Sequence, residues 1–358
     1  MADRSPVREA RTLVVLRALQ LGDLLCSTPA LRTLRDALPD AHIALIGLPW
    51  ARELVARLDS VDELIEFPGY PGIPEVPADP SVLPSFFARM QARSFDLALQ
   101  LHGSGLVSNG FVALLGAHRS AGFELPGVPS RLDDTVAYPD DQPEVRRPLV
   151  LLHHLGFDTA DEQLEFPVRE ADRAELAPLA ACHGLVPGGY VCIHPGARDP
   201  RRRWNAHGWA RLADCLADRG YRVVLTGTAA EAPITAEIRA RMRRPAVDLA
   251  GATSLGALAA LLAATRLLVS CDTGVSHLAD ALRVPSVVLF TGSDPQRWAP
   301  LDRQLHRVVA ARRIAGDATN CCLGEACPHT TSGWEPLDPD EALLAIEEQL
   351  DGGARRAA

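Results

Sequence analysis

The sequence contains no lysine, so its 36 basic residues, in a chain of 358, are all arginine. It also lacks any run of about 18 uncharged apolar residues, which a membrane-spanning helix requires. The first residues, MADRSPVREARTLVV, carry charges but neither the apolar core nor the small-residue cleavage site of a secretory signal. We therefore expect a soluble, cytoplasmic protein.

The sequence also lacks a disulfide pattern and an excess of positive charge. Its 8 cysteines are scattered and mostly single in apolar surroundings, which is typical of reduced core cysteines. Residues 1–175 contain 16 Arg against 26 Asp and Glu, a charge of −10, whereas residues 176–358 contain 20 against 19, a charge of +1. Neither half is basic enough to favour nucleic acid as a partner.

Short apolar strands alternate with helical patterns along the whole chain. The predicted strands are Thr12–Arg17, His42–Ile46, Val61–Phe67, Phe95–Leu101, Tyr190–His194, Arg222–Leu225, Val247–Leu249, Leu267–Cys271 and Ser286–Phe290. This alternation predicts parallel strands joined by crossover helices. The length and the 47% hydrophobic content suit two domains.

We expect an α/β protein of two Rossmann-like domains facing across a cleft, residues 1–186 and 187–338. Pro187-Gly188-Gly189 marks the boundary. A final helix over residues 339–350 is placed to pack back on the first domain.

The segment Leu267–His277, LLVSCDTGVSH, reads as a buried strand that turns directly into a helix. Asp272 or Thr273 can cap this helix, and Gly274 lets a ligand approach the backbone. The exposed N–H groups and the helix dipole suit an anion such as a diphosphate, and His277 lies one turn further on the same face. The structural alternative is an ordinary capped helix with a satisfied histidine.

Three other loops of the second half follow predicted strands and contain small residues, and all four loops are expected at one edge of the sheet. They are His194–Ala197, Thr226–Glu231 and Gly251–Ser254. Together they can hold a nucleotide diphosphate with few charged side chains. The neighbouring run Arg201–Trp204 adds guanidinium groups that pair with phosphate, although a solvated loop with a core tryptophan explains it equally simply.

Several motifs follow one another in a fixed order over nearly the whole chain. They are LGDLLCSTPALRTLRDALPDAHIALIG near the start, IHPGA, RRRWNAHGWARLADCL and LTGTAAEA in the middle, and LAGATSLGALAALLAATRLLVSCDTGVSHLADALRVPSVVLFTGSDPQRW later. This series resembles glycosyltransferase family 9, the heptosyltransferase-like enzymes of GT-B architecture. The resemblance implies an inverting, metal-independent transfer of a heptose from ADP-heptose to a sugar hydroxyl. The donor would bind to the C-terminal half and the acceptor to the N-terminal half.

The resemblance also implies roles for individual residues. Asp23 of the LGD motif looks like the general base that takes the proton of the acceptor hydroxyl, with a helix cap as the structural alternative. Arg202 stands where the family usually has lysine and would bind the diphosphate, and Glu231 is similar in position to the acid that binds the ribose hydroxyls. The implied donor-binding residues are Gly196, Ala197, Arg202, Gly227, Glu231, Thr253, Asp272, Thr273, Gly274 and His277.

No catalytic metal and no cofactor other than the nucleotide-sugar co-substrate are expected. Metal-dependent glycosyltransferases typically use an Asp-x-Asp motif, but here Asp338-Pro339-Asp340 opens the last helix and reads as a cap. Cys321, Cys322, Cys327 and His329 form a ligand-like cluster whose spacing fits no standard zinc site.

The acceptor side is predicted from charge and from loop positions. Candidate acceptor-binding residues are Gly22, His102, Ser104, Arg119, Asp133 and Asp134. The proline-rich loop 68–84 and the acidic segment 133–144 are candidate walls, although an acidic run is usually a solvated surface. An anionic acceptor would be repelled by the −10 half, so we expect a cationic or neutral acceptor such as an amino sugar or aminocyclitol instead of an anionic lipopolysaccharide core.

Three other functions stay open at this point. A lipopolysaccharide inner-core heptosyltransferase would use the glycolipid acceptor, and only then would contact with a membrane surface be expected. A sugar-nucleotide epimerase would convert the donor without an acceptor. A non-catalytic sugar-nucleotide-binding protein would bind the donor without transfer.

Overall fold

The computed structural model describes Val7, residues 9–312 and residues 335–356, with residues 352–356 described by their backbone only. The chain divides into two compact units, Met1–Pro167 and Val168–Ala358. This division falls earlier in the chain than the predicted one at 186/187. The reason is that the helix Glu170–His183, expected to close the first half, packs on the helix Leu255–Ala263 of the second unit.

The first unit contains a six-stranded sheet in which every neighbouring pair is parallel. Its strands are β1 (Thr12–Leu16), β2 (His42–Gly47), β3 (Glu63–Glu66), β4 (Leu97–Gln100), β5 (Arg119–Glu124) and β6 (Asp134–Ala137). The spatial order is β3-β2-β1-β4-β5-β6. The central strands are buried because they are near-continuous apolar runs, as is usual when both faces of a parallel sheet are covered.

The helices of the first unit are short and follow the strands as crossovers. They are α1 (Leu21–Leu25), α2 (Thr28–Ala37), α3 (Arg52–Val55), α4 (Leu83–Ala92), α5 (Ser108–Ala113) and α6 (Arg146–His154). One core of this unit joins β1 and β2 to α4 and α5 through Leu16, Ile46, Phe86 and Phe111. The sequence prediction did not include β5 or β6.

The second unit repeats the design with another six-stranded parallel sheet. Its strands are β7 (Tyr190–His194), β8 (Arg222–Leu225), β9 (Val247–Asp248), β10 (Leu267–Cys271), β11 (Ser286–Phe290) and β12 (His306–Ala310). The spatial order is β12-β11-β10-β7-β8-β9. The predicted α/β class with parallel sheets is confirmed in both units.

The helices of the second unit are longer. They are α7 (Glu170–His183), α8 (Ala206–Asp218), α9 (Ala232–Arg241), α10 (Leu255–Ala263), α11 (Gly274–Ala281), α12 (Pro295–Trp298) and α13 (Pro339–Arg356). Trp204 and Trp209 meet in the core with ring centroids 5.3 Å apart. Trp204 is therefore a core tryptophan, as the structural alternative for the run Arg201–Trp204 predicts.

The last helix packs on the second unit, whereas the sequence predicts that it packs back on the first domain. α13 contacts α8, β11 and β12. It does so because Ala342, Ile346 and Leu350 recur at every fourth position and bury one apolar stripe in the core of this unit.

Within the part of the chain that the structure describes, no helix has both the length and the apolar character needed to cross a membrane.

The two strand orders locate the edges where ligands bind. In open parallel sheets, ligands bind beyond the carboxyl ends of the strands, at the point where the strand order reverses. That point lies between β1 and β4 in the first unit and between β7 and β10 in the second. The loops after these four strands are therefore where functional residues are expected.

Candidate active site

Asp23 lies in the first turn of α1, just beyond the carboxyl end of β1. The residue that precedes the helix is Gln20, so Asp23 is not the cap residue, and Gly22 beside it is buried. Arg17 donates from Nε and Nη2 to the backbone oxygen of Asp23 at 3.2 and 2.9 Å. Its Nη2 also lies 3.9 Å from the Asp23 carboxylate, which is 22% exposed. A carboxylate that reaches solvent is thus held beside a cation at the switch point of the first sheet.

The cation beside Asp23 belongs to a buried charge cluster. Arg17 donates from Nη2 to Glu144 Oε1 at 2.9 Å, and Arg147 Nε lies 3.7 Å from Glu144 Oε2. All three side chains are almost completely buried. Burial would lower the pKa of Arg17, but the charges of Glu144 and Asp23 outweigh burial and raise it.

The sequence interpretation missed this cluster. The acidic segment was treated as a solvated surface or an acceptor wall, whereas Glu144 is buried. The available signal was the pair Arg146-Arg147 two residues further on, which supplies a buried partner for the carboxylate.

His102 and Ser104 follow β4, on the other side of the switch point. His102 Nε2 lies 3.6 Å from Glu75 Oε2, a residue of the proline-rich segment 68–84. Its ring stacks on Phe67 with centroids 6.5 Å apart. Gln100 and Ser108 both donate to the backbone oxygen of His102, which fixes the loop. Ser104 is partly exposed in the same loop.

A cavity of about 170 Å³ opens at the same edge of the first unit, beyond β5. Asn109, Glu124 and Arg131 contribute polar side chains to its lining, together with exposed apolar groups of Leu106 and Val128. Asn109 Oδ1 is buried and accepts no hydrogen bond. The sequence prediction did not identify this cavity.

Three predicted acceptor residues lie at the opposite edge of the first sheet. Arg119 and Asp134 are the first residues of β5 and β6, and they form a two-point ion pair with N–O distances of 2.6 and 3.1 Å. Asp133 accepts from the backbone N and the Oγ of Ser120 at 2.8 and 2.7 Å. These side chains join the amino ends of two strands, so the structure does not bring them together with Asp23.

The arginine run after β7 distributes its side chains among different partners. Arg201 pairs with Asp199, with Nη2 2.6 Å from Oδ2. Arg203 donates from Nε to the backbone oxygen of Ala197 at 2.8 Å. Arg202 alone of the three forms an ion pair at the carboxyl end of β10. The run is therefore a loop held by its own contacts, with one guanidinium presented at the predicted donor site.

Asp272 is the partner of Arg202. It is 1% exposed, and its Oδ2 accepts from Ser293 Oγ at 2.5 Å and lies 3.2 Å from Arg202 Nη1. Arg202 Cζ lies 5.7 Å from the ring centroid of Trp298, and its buried Nε has no hydrogen-bond partner. The buried carboxylate therefore orients a guanidinium that keeps donors for a ligand.

Ser293 and Trp298 were not predicted. They follow β11, where a glycine-containing loop after a predicted strand was the available signal.

The start of α11 is built as predicted. Thr273 is the cap residue, and its Oγ1 accepts from the backbone N of Val275 at 3.1 Å. Gly274 is the first helical residue, so the positive end of the helix dipole lies at the carboxyl edge of the sheet. His277 is buried one turn later, with its ring 6.3 Å from that of Trp298.

A second group of predicted donor residues surrounds Glu231. A Cβ at Gly196 would lie 2.2 Å from Glu231 Oε1, so a larger residue there would displace the Glu231 carboxylate, and Gly227 packs on the same side chain. Glu231 Oε2 accepts from the backbone N and the Oγ1 of Thr228 at 2.8 and 2.9 Å. Burial lowers the pKa of the neighbouring His194, and the charge of Glu231 opposes this shift only in part.

The loop before α10 already has an anionic partner. Ser254 caps α10 by accepting from the backbone N of Ala257 at 3.1 Å. Glu175 of α7 accepts from the backbone N and the Oγ of Ser254 at 3.3 and 2.8 Å. A carboxylate of the same unit thus occupies this helix start, and the predicted donor residue Thr253 lies next to it.

Within the described ranges, 9–312 and 335–351, no group of three His, Cys, Asp or Glu side chains is arranged to hold a metal ion. The cluster of Cys321, Cys322, Cys327 and His329 lies outside the described residues. Asp338 accepts from the backbone N of Asp340 at 2.9 Å, which confirms that this Asp-x-Asp is a helix cap.

The chain is similar in sequence and in fold to known glycosyltransferases. The sequence profile of "Glycosyltransferase family 9 (heptosyltransferase)" matches residues 84–323. "Lipooligosaccharide heptosyltransferase 2" of Haemophilus ducreyi is 25% identical over 94% of this chain and 99% of its own length. The glycosyl transferase family 9 structure from Veillonella parvula has a TM-score of 0.80 and 21% identity, covering 95% of this chain and 97% of its own. Escherichia coli ADP-heptose lps heptosyltransferase II has a TM-score of 0.71 and 25% identity, covering 97% and 100%.

Proposed function

Because the chain belongs to glycosyltransferase family 9, we propose that it transfers a heptose, or a related sugar, from ADP-heptose to a hydroxyl of a sugar-containing acceptor. The similar Escherichia coli enzyme is named for an ADP-heptose donor. In this proposal the second unit binds the donor, and the first unit binds the acceptor and supplies the base.

The loops after β7 and β10 support the donor assignment. The diphosphate would meet the positive end of the α11 dipole and the guanidinium of Arg202, whose side chain is 31% exposed. Glu231 would accept hydrogen bonds from the ribose hydroxyls, and its carboxylate lies against Gly196 in the loop after β7.

The proposed chemistry is a single displacement. Asp23 takes the proton of the acceptor hydroxyl while the hydroxyl oxygen attacks the anomeric carbon from the face opposite the diphosphate. The bond from that carbon to the phosphate oxygen breaks, and its electron pair leaves with ADP, so the configuration is inverted. Arg202 and the helix start offset the charge on the leaving diphosphate, so we propose that no metal ion is required.

The position of Asp23 carries the proposal, because it places a partly exposed carboxylate at the switch point of the acceptor unit. In Asp23→Asn the amide cannot take a proton. We expect kcat to fall by about 10²-fold or more, while ADP binding measured by calorimetry is unchanged. Glu162→Gln is the control, since it removes a carboxylate of the same unit from an exposed ion pair with Arg146. Transfer by Asp23→Asn at the wild-type rate would contradict the assignment.

For the acceptor, we propose a cationic or neutral glycoside such as an amino sugar or aminocyclitol. The acceptor unit lies in the half that carries −10. The two guanidinium groups of the Asp23 cluster, Arg17 and Arg147, are buried and shared with Glu144, so neither is available to an anionic acceptor. The competing candidate is the lipopolysaccharide inner core, favoured by the name of the Haemophilus relative.

The acceptor is tested by offering ADP-heptose with an aminoglycoside, with a neutral glycoside and with a heptose-free lipopolysaccharide core. We expect product with the cationic or neutral glycosides. Product with the lipopolysaccharide core alone would overturn the acceptor while leaving the donor assignment intact. Incubation of the donor alone separates the remaining functions, because an epimerase would convert ADP-heptose without an acceptor and a binding protein would leave it unchanged.

We also propose that the protein acts in the cytoplasm. The cysteines Cys26, Cys182, Cys192, Cys215 and Cys271 are free thiols, which suits a reducing compartment.

A further inference from the structure

We propose that Glu144 is a positioning residue for Asp23: it holds Arg17 so that this guanidinium orients the catalytic carboxylate without neutralising it. The inference rests on the proposed role of Asp23 as the base. It assigns a role to Glu144, a buried carboxylate that is 121 positions away from Asp23 in the sequence.

The contacts form a chain that ends at Asp23. Arg147 is held by the backbone oxygens of Asp140 and Gln142 at 2.8 and 2.9 Å. Its guanidinium lies 3.7 Å from Glu144, and Glu144 accepts from Arg17 Nη2 at 2.9 Å. The same Nη2 donates to the backbone oxygen of Asp23 at 2.9 Å. The loop that bears the proposed base is therefore tied to the buried carboxylate through one guanidinium.

The distances show that Arg17 is committed mainly to Glu144. Its Nη2 is 2.9 Å from the Glu144 carboxylate but 3.9 Å from that of Asp23. A direct contact between Arg17 and Asp23 would make the carboxylate a weaker base for the proton of the acceptor hydroxyl. By competing for the guanidinium, Glu144 leaves the Asp23 carboxylate more basic than it would be in such a contact.

The charges of the cluster point to the same conclusion. Arg17, Glu144 and Arg147 together carry one net positive charge in a site that is shielded from solvent, and Asp23 provides the balancing negative charge. Charges act strongly on one another in such a site because water does not screen them. Removal of the Glu144 charge would expose Asp23 to two guanidinium groups.

Other titratable groups surround this cluster. Cys26, at the end of α1, interacts electrostatically with Arg17. Arg147 also meets the hydroxyl of Tyr138 and lies 3.7 Å from the exposed Asp140 carboxylate.

The test is Glu144→Gln, which keeps the shape and an accepting oxygen but removes the charge. Whether Arg17 stays in place or turns toward Asp23, the pKa of the Asp23 carboxyl falls and the base becomes weaker. We expect kcat to fall about tenfold or more and the acid limb of the kcat/KM profile to move down by about one pH unit. Glu162→Gln is the matched control, because it makes the same change in an exposed pair of the same unit.

A purely structural role for Glu144 predicts a different result: lower stability with an acid limb at the wild-type pH, and this result would overturn the inference. If Glu144→Gln does not fold, Glu144→Asp takes its place. The shorter carboxylate would lie farther from Arg17, so the acid limb of the kcat/KM profile should move in the same direction by a smaller amount. An acid limb at the wild-type pH would again overturn the inference.

The two proposals fail separately. Full activity in Asp23→Asn would show that Asp23 is not the base, and Glu144 would then have no base to position. A second outcome is loss of activity in Asp23→Asn together with an unchanged pH profile in folded Glu144→Gln. This outcome would support Asp23 as the base and contradict only the positioning role of Glu144.

Discussion

Three consecutive arginines differ in role because each side chain meets a different partner. Arg201 binds the partly exposed carboxylate of Asp199, and Arg203 binds a backbone oxygen. Arg202 meets the buried Asp272, and a buried carboxylate fixes the geometry of its partner far more than an exposed one does. Residue type alone therefore could not have separated the three.

This difference is tested by substitution of two neighbouring positions. Arg202→Gln removes the charge offered to the diphosphate and leaves Asp272 buried without its cation. We expect kcat/KM for the donor to fall by more than about tenfold. Arg202→Lys, with the residue usual in the family, should lose less, because it keeps the charge and gives up only the planar fork.

Arg201→Gln is the control for charge. It removes the same charge from the neighbouring residue, whose side chain is 54% exposed. Equal losses in Arg201→Gln and Arg202→Gln would show that the run acts only as a diffuse positive patch.

At the scale of elements, a continuous apolar run marks the central strands that the sequence predicts well. The buried strands β1, β2, β4, β7, β10 and β11 are apolar runs and were predicted within a residue or two. The strands β5, β6 and β12 begin with Arg119, Asp134 and His306. Because they mix polar and apolar residues, the sequence contains no continuous apolar run that would predict them.

The missed strands explain why three residues were grouped with the candidate acceptor residues. Without β5 and β6, nothing in the sequence shows that Arg119 and Asp134 begin their strands, with Asp133 beside them, and so lie at the edge opposite Asp23. Asp23, Arg202 and Thr273 follow strands that were predicted, and their edge was predicted correctly. The burial of Glu144 was missed, because it depends not only on the nearby Arg147 but also on Arg17, a residue distant in sequence.

The start of α10 offers a test at this scale. Glu175→Ala removes the carboxylate that accepts from the backbone N and the hydroxyl of Ser254. We expect the free energy of unfolding, measured with urea, to fall by about 1 kcal/mol, as for the loss of a helix cap. Glu237→Ala, which removes an exposed pair with Arg241 within α9, should cost less than about 0.5 kcal/mol. A smaller loss in Glu175→Ala than in this control would mean that the contact does not stabilise the helix.

At the scale of the whole molecule, charge is divided unequally along the chain. Residues 1–175 carry −10 and residues 176–358 carry +1. Such a field acts over several ångströms, raises the local concentration of ligands of opposite sign and is screened by salt. The two substrates should therefore respond differently to ionic strength.

We expect kcat/KM for a cationic acceptor to fall as salt rises from about 0.05 to 0.5 M, because the screening length shortens over this range. The KM for ADP-heptose should change little, since its binding half is almost neutral overall. A neutral glycoside is the matched control and should show no trend. A salt-independent rate with the cationic acceptor would show that the acidic half does not attract it.

The segment around Arg202 is held at both ends before any ligand arrives. Arg203 bonds to Ala197, and Thr291 Oγ1 bonds to the backbone oxygen of Arg201 at 3.1 Å. A Cβ on Gly292 would lie 2.6 Å from the same oxygen. The conformational entropy of this segment is thus already lost when the chain folds, so a diphosphate meets an immobilised cation and its binding need not order the loop. Mutations that loosen this attachment would weaken affinity through entropy without touching a single ligand contact.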